Sequence, residues 1–288
     1  MGTVTKKKLQ LKPLATAKIK IKAKPSANLS LPTERSEPAT KIGNYSLLLY
    51  GRKKIGKTSL VSNFPTTFCM MFEPGGKSLR IYQKPINQWE EFLGYIDLLE
   101  TTDHPFKTVS IDTGRVAYER CMDYVCKVNG FEHPQDESYG KGWNKVRTEL
   151  TGAFIRLMNL GLGVIVICHE NISDITRRNS EVYNRITPDL PKQAAGFFAA
   201  VIDTIGYYRY LDDDKRVITI GGSEDLEAGT RCEENFFTKS GERIINIPMG
   251  NSSSKEAYAN LLNAFNNKQE GTGKEVLRKA KVTLKSLK

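Results

Sequence analysis

Gly51-Arg52-Lys53-Lys54-Ile55-Gly56-Lys57-Thr58 satisfies every fixed position of the pattern G-x-x-x-x-G-K-[ST]. Glycines at the first and sixth positions let the backbone turn its N–H groups towards bound phosphates, and a helix beginning at Lys57 adds its positive end to the same anion site. Lys57 then reaches the β- and γ-phosphates, and the Thr58 hydroxyl faces a magnesium ion. Arg52, Lys53, Lys54, Ile55 and Ser59 complete the stretch in contact with the ligand. The pattern carries meaning only between a strand and a helix. Here Tyr45-Ser46-Leu47-Leu48-Leu49-Tyr50 precedes it and Ser59-Leu60-Val61-Ser62 follows. The alternative, a basic glycine-containing turn, does not account for these flanks. The expected ligand is ATP with Mg²⁺. Guanine specificity is not expected, because Asn267-Lys268-Gln269-Glu270 ends in Glu where the guanine motif needs Asp.

Phosphate chemistry also needs a carboxylate at the end of a neighbouring strand to hold magnesium. Asp112 ends the apolar run Thr108-Val109-Ser110-Ile111 and is the candidate, with Ser110 and Thr113 expected to tune the metal's surroundings. A strand-end Asp is otherwise a helix cap. Hydrolysis requires a group that orients or deprotonates water. Glu73, between Phe68-Cys69-Met70-Met71-Phe72 and Pro74-Gly75-Gly76, is assigned that role, the alternative being an acidic turn residue. His169 follows Gly163-Val164-Ile165-Val166-Ile167-Cys168 and is expected to sense the γ-phosphate, unless it is structural.

Residues 171–192 read as a long connector carrying Arg177, Arg178, Arg185 and Lys192, with Tyr183 as a stacking surface. Positive charge beside an aromatic platform suits single-stranded DNA. A kinase lid or a plain solvated loop would have the same composition. Phe131, His133, Tyr139, Lys141 and Trp143 form a second candidate surface, or simple packing.

The elements that must position these groups alternate. Strands are expected at 45–50, 67–72, 108–112, 163–168 and 202–210, with a hairpin-like pair at 205–211 and 216–220 around Asp212-Asp213-Asp214-Lys215. Helices are expected at 57–63, 88–100, 114–129, 142–160 and 253–267. Strand–helix alternation implies an α/β fold with a central, mostly parallel sheet flanked by helices. The expected organisation is a disordered basic arm at 1–41, a core at 42–250, an amphipathic helix within 251–268 and a basic tail at 269–288. In that helix Tyr258, Leu261, Leu262 and Phe265 form one stripe, which suits core packing better than a partner groove.

The 288 residues carry a formal charge of +11, concentrated at the ends. Residues 1–41 hold ten basic and two acidic side chains, and residues 266–288 hold seven and two, so the middle is nearly neutral. The arm is either a polyanion-binding segment or a solubilising one. Five cysteines form no C-x-x-C pair, and three histidines supply no zinc spacing, which points to a reducing, cytoplasmic setting without zinc. No run is long enough for a membrane span and no apolar signal core leads the chain.

The ordered set G-R-K-K-I-G-K-T-S, M-F-E-P-G-G, V-S-I-D-T, Y-G-K-G-W and V-I-C-H-E, across about residues 43–248, resembles the RecA-type ATPases. Within them it resembles the phage-encoded nucleotide-binding family that includes the Sak-type single-strand annealing proteins. The resemblance implies a RecA-like P-loop fold, water activation by Glu73, γ-phosphate sensing by His169, and DNA contact through 171–192. It further implies a Lys/Arg pair reaching a neighbour's nucleotide; Arg231 is present, with Gly229 where the Lys is expected. One arginine suffices in principle to stabilise developing charge. The expected protein is a single-stranded-DNA-dependent ATPase of phage recombination or replication in the host cytoplasm. It would form a homo-oligomeric ring or filament and work with single-strand-binding or other recombination proteins. The competing expectations are a small-molecule or nucleotide kinase and a non-hydrolysing, ATP-gated DNA-binding or loader protein.

Overall fold

The structure, a computed structural model, describes residues 31–176, 182–211 and 215–273. The chain divides into two units, Met1–Pro38 and Ala39–Lys288. Residues 31–38 of the first are exposed and form neither helix nor strand.

In the second unit β1 (Leu47–Gly51) leads through the glycine-bounded loop into α1 (Lys57–Val61). Then come β2 (Thr67–Met71), β3 (Tyr82–Pro85), α2 (Trp89–Thr101), β4 (Thr108–Asp112), α3 (Gly114–Asn129) and α4 (Lys141–Met158). β5 (Gly163–Thr176) and β6 (Val182–Pro188) precede α5 (Lys192–Val201). β7 (Thr204–Tyr210), β8 (Arg216–Thr219), β9 (Gly229–Thr230), β10 (Asn246–Pro248) and α6 (Ser254–Phe265) complete it.

The sheet runs β10-β8-β7-β1-β5-β4-β2-β3, and the strands from β7 to β3 are mutually parallel. β8 and β10 are antiparallel additions at one edge. β1 and β4 are buried along their whole length, as in a parallel sheet with helices on both faces. The two-residue period sorts their side chains. Leu48, Tyr50, Val164, Val166 and Cys168 enter the core beneath α2, α3, α4 and α5, while Leu47, Leu49, Ile165 and Ile167 enter the core shared with α1 and α6. Phe154 centres the first core, its ring 5.6 Å from Phe92 and 4.9 Å from Phe198, so its truncation to Ala costs about 3–5 kcal/mol. On α6, Ala257, Leu261, Ala264 and Phe265 are buried, with Tyr258 and Leu262 packed beside them. The stripe therefore belongs to the core.

The five expected strands are present, four with small shifts of boundary and the one expected at 163–168 running on to Thr176, and β7 and β8 pair as the expected hairpin. Residues 171–192 differ. They are not an irregular connector: β5 continues past the sheet to Thr176 and pairs antiparallel with β6 from Glu170↔Pro188 to Thr176↔Val182. Polar residues such as Asn171, Asp174 and Asn184 fall on this ribbon, and Ile172 and Val182 are exposed, so no in–out alternation marked it as strand. Edge strand β3, short β9 and β10, and helix α5 likewise lacked a readable period. Asp212-Asp213-Asp214 and the basic stretches 1–30 and 274–288 lie outside the described residues.

Candidate nucleotide site

The parallel strands end together, and their register brings the chemistry to one edge. Gly51 on β1 is level with His169 on β5, Asp112 on β4 is level with Ile167 and Met71, and Glu73 lies two residues beyond Met71. The first glycine is needed for a specific reason: a Cβ on Gly51 would stand 1.9 Å from the Tyr208 carbonyl oxygen. Gly56 has φ +106°, a conformation that side chains rarely tolerate. Arg52, Lys53 and Lys54 are exposed, Ile55 is buried, and Ser59 is half-buried on α1.

The Lys57 ammonium is folded back into the loop. It donates to the carbonyls of Gly51 at 2.7 Å and Arg52 at 2.8 Å and lies 3.5 Å from Nδ1 of His169. Burial holds it below the ordinary lysine pKa, against the opposing pull of Asp112.

Thr58 Oγ1 donates to Oδ2 of Asp112 at 2.6 Å. Burial raises the Asp112 carboxyl above its ordinary pKa, while the Thr58 hydrogen bond opposes the rise and the Glu73 charge reinforces it. The Glu73 carboxylate is engaged at both oxygens. Thr113 Oγ1 donates to Oε1 at 2.7 Å, and Nε2 of His169 lies 3.5 Å from Oε2. From sequence Thr113 is expected to tune the metal's surroundings at Asp112; its hydroxyl instead serves Glu73, because it directly precedes α3 beside the end of β2. Ser110 is wholly buried inside the sheet, level with Cys69 and Ile165, and cannot reach a ligand.

Gly56, Lys57, Thr58, Glu73, Asp112 and His169 line a cleft of about 370 Å³ whose far wall is Gly75, Gly76, Ser78 and Leu79. The wall was not assigned from sequence, though the Pro74-Gly75-Gly76 turn was its signal. The donor set fits a magnesium–triphosphate: a hard-oxygen pair in Thr58 and Asp112, and a buried ammonium held by two loop carbonyls and within 3.5 Å of His169. Thr58 and Asp112 would hold the metal, and Lys57 the phosphates. Among the described residues no three His, Cys, Asp or Glu side chains gather as a metal site of their own. The five cysteines are buried free thiols.

β1 and β4, which carry the loop and Asp112, are separated by β5, so His169 emerges between them. Residues 43–232 match the AAA domain family. The chain belongs to this family. As an AAA domain with this phosphate loop it is a nucleotide-binding P-loop ATPase domain. No curated protein matches it. In fold the AAA domain is similar to a KaiC-like protein from the hyperthermophilic archaeon Pyrococcus horikoshii, at 14% identity, covering 72% of this chain and 87% of that one, with a TM-score of 0.41. It is also similar to the RadB recombinase, at 14% identity, covering 74% and 90%, with a TM-score of 0.40. No helix among the described residues is long and apolar enough to cross a membrane.

The remaining candidate residues are not gathered at this cleft. Arg231 follows β9, whose Thr230 pairs with Thr204 at the start of β7, the opposite end of the sheet from the loop. Its guanidinium donates to the Ala200 carbonyl at 2.7 Å. Tyr183 and Arg185 share one face of the β5–β6 ribbon, and Arg185 pairs with Glu227 at 3.3 Å. Lys192 is exposed at the first turn of α5. Arg177 and Arg178 lie outside the described residues. Of the second candidate surface, Tyr139 is exposed, while His133 and Trp143 meet edge to face at 5.3 Å and Phe131 lies under Lys145.

Proposed function

We propose that this AAA domain hydrolyses ATP in response to single-stranded DNA and promotes annealing or strand pairing in phage recombination or replication. The observation that carries the reading is the Glu73 carboxylate, held by Thr113 and facing His169 across the cleft that also contains Lys57 and Asp112.

Lys57 exchanges its loop carbonyls for phosphate oxygens, and Thr58 with Asp112 would hold magnesium. The metal supplies charge neutralisation when bound. Glu73 accepts a proton from the attacking water, with its orientation set by Thr113. His169 follows the γ-phosphate. Because it sits on the strand that continues into the β5–β6 ribbon, its movement is passed to that ribbon, where Tyr183 and Arg185 contact DNA; Arg177 and Arg178 are assigned the same role from their sequence alone. Lys192 extends this surface. The basic arm at 1–41 and tail at 269–288 flank the core at 42–250 and add sequence-independent affinity. Arg231 acts on the nucleotide of an adjoining subunit in a ring or filament, which accounts for its distance from the cleft in its own chain. The setting is the cytoplasm of an infected bacterium, with single-strand-binding or recombination proteins as further partners.

One assay tests this reading: ATP turnover with and without single-stranded DNA, for wild type and Lys57→Ala. Stimulation by DNA that Lys57→Ala abolishes is expected. Turnover indifferent to DNA across salt concentrations removes the coupling, and transfer of labelled phosphate to an acceptor makes the protein a kinase.

A further inference from the structure

Arg216 stands on the far side of the phosphate loop from Glu73, and nothing in the site described above uses it. It begins β8, level with Tyr210 at the end of β7, and therefore reaches the same sheet edge as the loop. Its Nε and Nη2 both donate to the Gly250 carbonyl, at 3.2 and 3.0 Å. The third nitrogen, Nη1, is directed elsewhere: a methyl group placed on Gly56 would lie 3.6 Å from it, and among the described residues no other atom beyond the glycine's own chain neighbours comes within 4 Å. Among the described residues no carboxylate pairs with this guanidinium.

We propose that Arg216 is a further nucleotide-contacting residue, in the same chain, that holds the α-phosphate end of the bound nucleotide. The proposal rests on a nucleotide lying in the Gly51–Thr58 loop. Strand order then sets the polarity. Asp112, on β4, and Glu73, just beyond β2, lie on one side of β1, and β8 lies on the other beyond β7. A triphosphate whose γ end faces Asp112 and Glu73 presents its α-phosphate towards β8. A guanidinium already fixed on one carbonyl loses little further freedom on binding an anion. The absent side chain at Gly56 leaves its remaining donor a clear approach.

The test is calorimetric titration of wild type and Arg216→Met with Mg·ATP and Mg·ADP. Both affinities are expected to fall by a similar factor, about tenfold or more, since a hydrogen bond to a charged group is worth about 1.5–3 kcal/mol. Unchanged affinities overturn the contact but leave the nucleotide site standing. A fall for ATP alone overturns the α-phosphate placement. A wild type that binds neither nucleotide overturns the underlying reading instead. If Arg216→Met does not fold, arginine modification of the wild type by phenylglyoxal, mapped by mass spectrometry, decides the matter. Mg·ADP is expected to shield Arg216, and equal reactivity with and without it overturns the proposal.

Discussion

The hydroxyl of Thr113 donates to Oε1 of Glu73 at 2.7 Å, across 40 residues of sequence. The backbone reinforces the approach, for the N–H groups of Phe72 and Glu73 both donate to the Asp112 carbonyl, at 2.7 and 3.1 Å. The chain leaving β2 is thereby clamped to the end of β4. Glu73 cannot turn freely, and one carboxylate oxygen faces His169 in the cleft.

Removing the hydroxyl separates position from binding. Thr113→Val should lower kcat for ATP roughly tenfold or more, the worth of one hydrogen bond to a charged group, with KM nearly unchanged. Thr113→Ser should restore it. Steady-state turnover of the two variants is the measurement, and a rise in KM with kcat intact would assign Thr113 to binding.

Asp112 is held in its charged form at a cost. Its folded pKa lies above the ordinary 3.8, so the folded protein binds the proton more readily than the unfolded chain. The penalty is therefore present above the folded pKa, shrinks as pH falls through it, and is gone below 3.8. Asp112→Asn, which keeps an acceptor for Thr58, should raise the Tm of nucleotide-free protein near neutral pH, with the two proteins converging in acid. The same variant should lose magnesium-dependent turnover. Thermal melts from about pH 3 to about pH 8, a range that begins below the ordinary carboxylate pKa of roughly 4, check the first part, and an ATPase assay the second.

Two glycines should respond oppositely to alanine. At Gly51 the new methyl would stand 1.9 Å from the Tyr208 carbonyl, inside the β1–β7 pairing, and should cost about 3 kcal/mol or more. Gly152, within α4, has no described atom outside its own stretch of helix within 4 Å of the new atom, and Gly152→Ala should stabilise by about 0.5–1 kcal/mol. Chemical denaturation of both variants measures the contrast.

Arg231 is separated from the loop level by the run from Thr204 to Tyr208 on β7, roughly 13 Å of strand at about 3.3 Å per residue. Arg231→Ala should lose turnover while retaining ATP binding. Mixing it with Lys57→Ala should recover part of the activity, since one subunit supplies the loop and the other the arginine. No recovery in assembled mixtures would confine Arg231 to its contact with Ala200.

The sequence by itself determined the phosphate loop, the strands that end at Asp112 and before Glu73 and His169, and the alternation that makes the sheet parallel. All of these are local: a spacing, a period of two, a turn after an apolar run. It did not disclose the β5–β6 ribbon, because strands with mixed residues on both faces have no hydrophobic signature. Only the tertiary structure decided which side chains meet. Sheet order sets β4 beside β2, giving Glu73 its partner Thr113, and carries β8 round to the loop, bringing Arg216 to Gly56. Such pairings arise from how strands are shuffled in space, and adjacency along the chain holds no record of them.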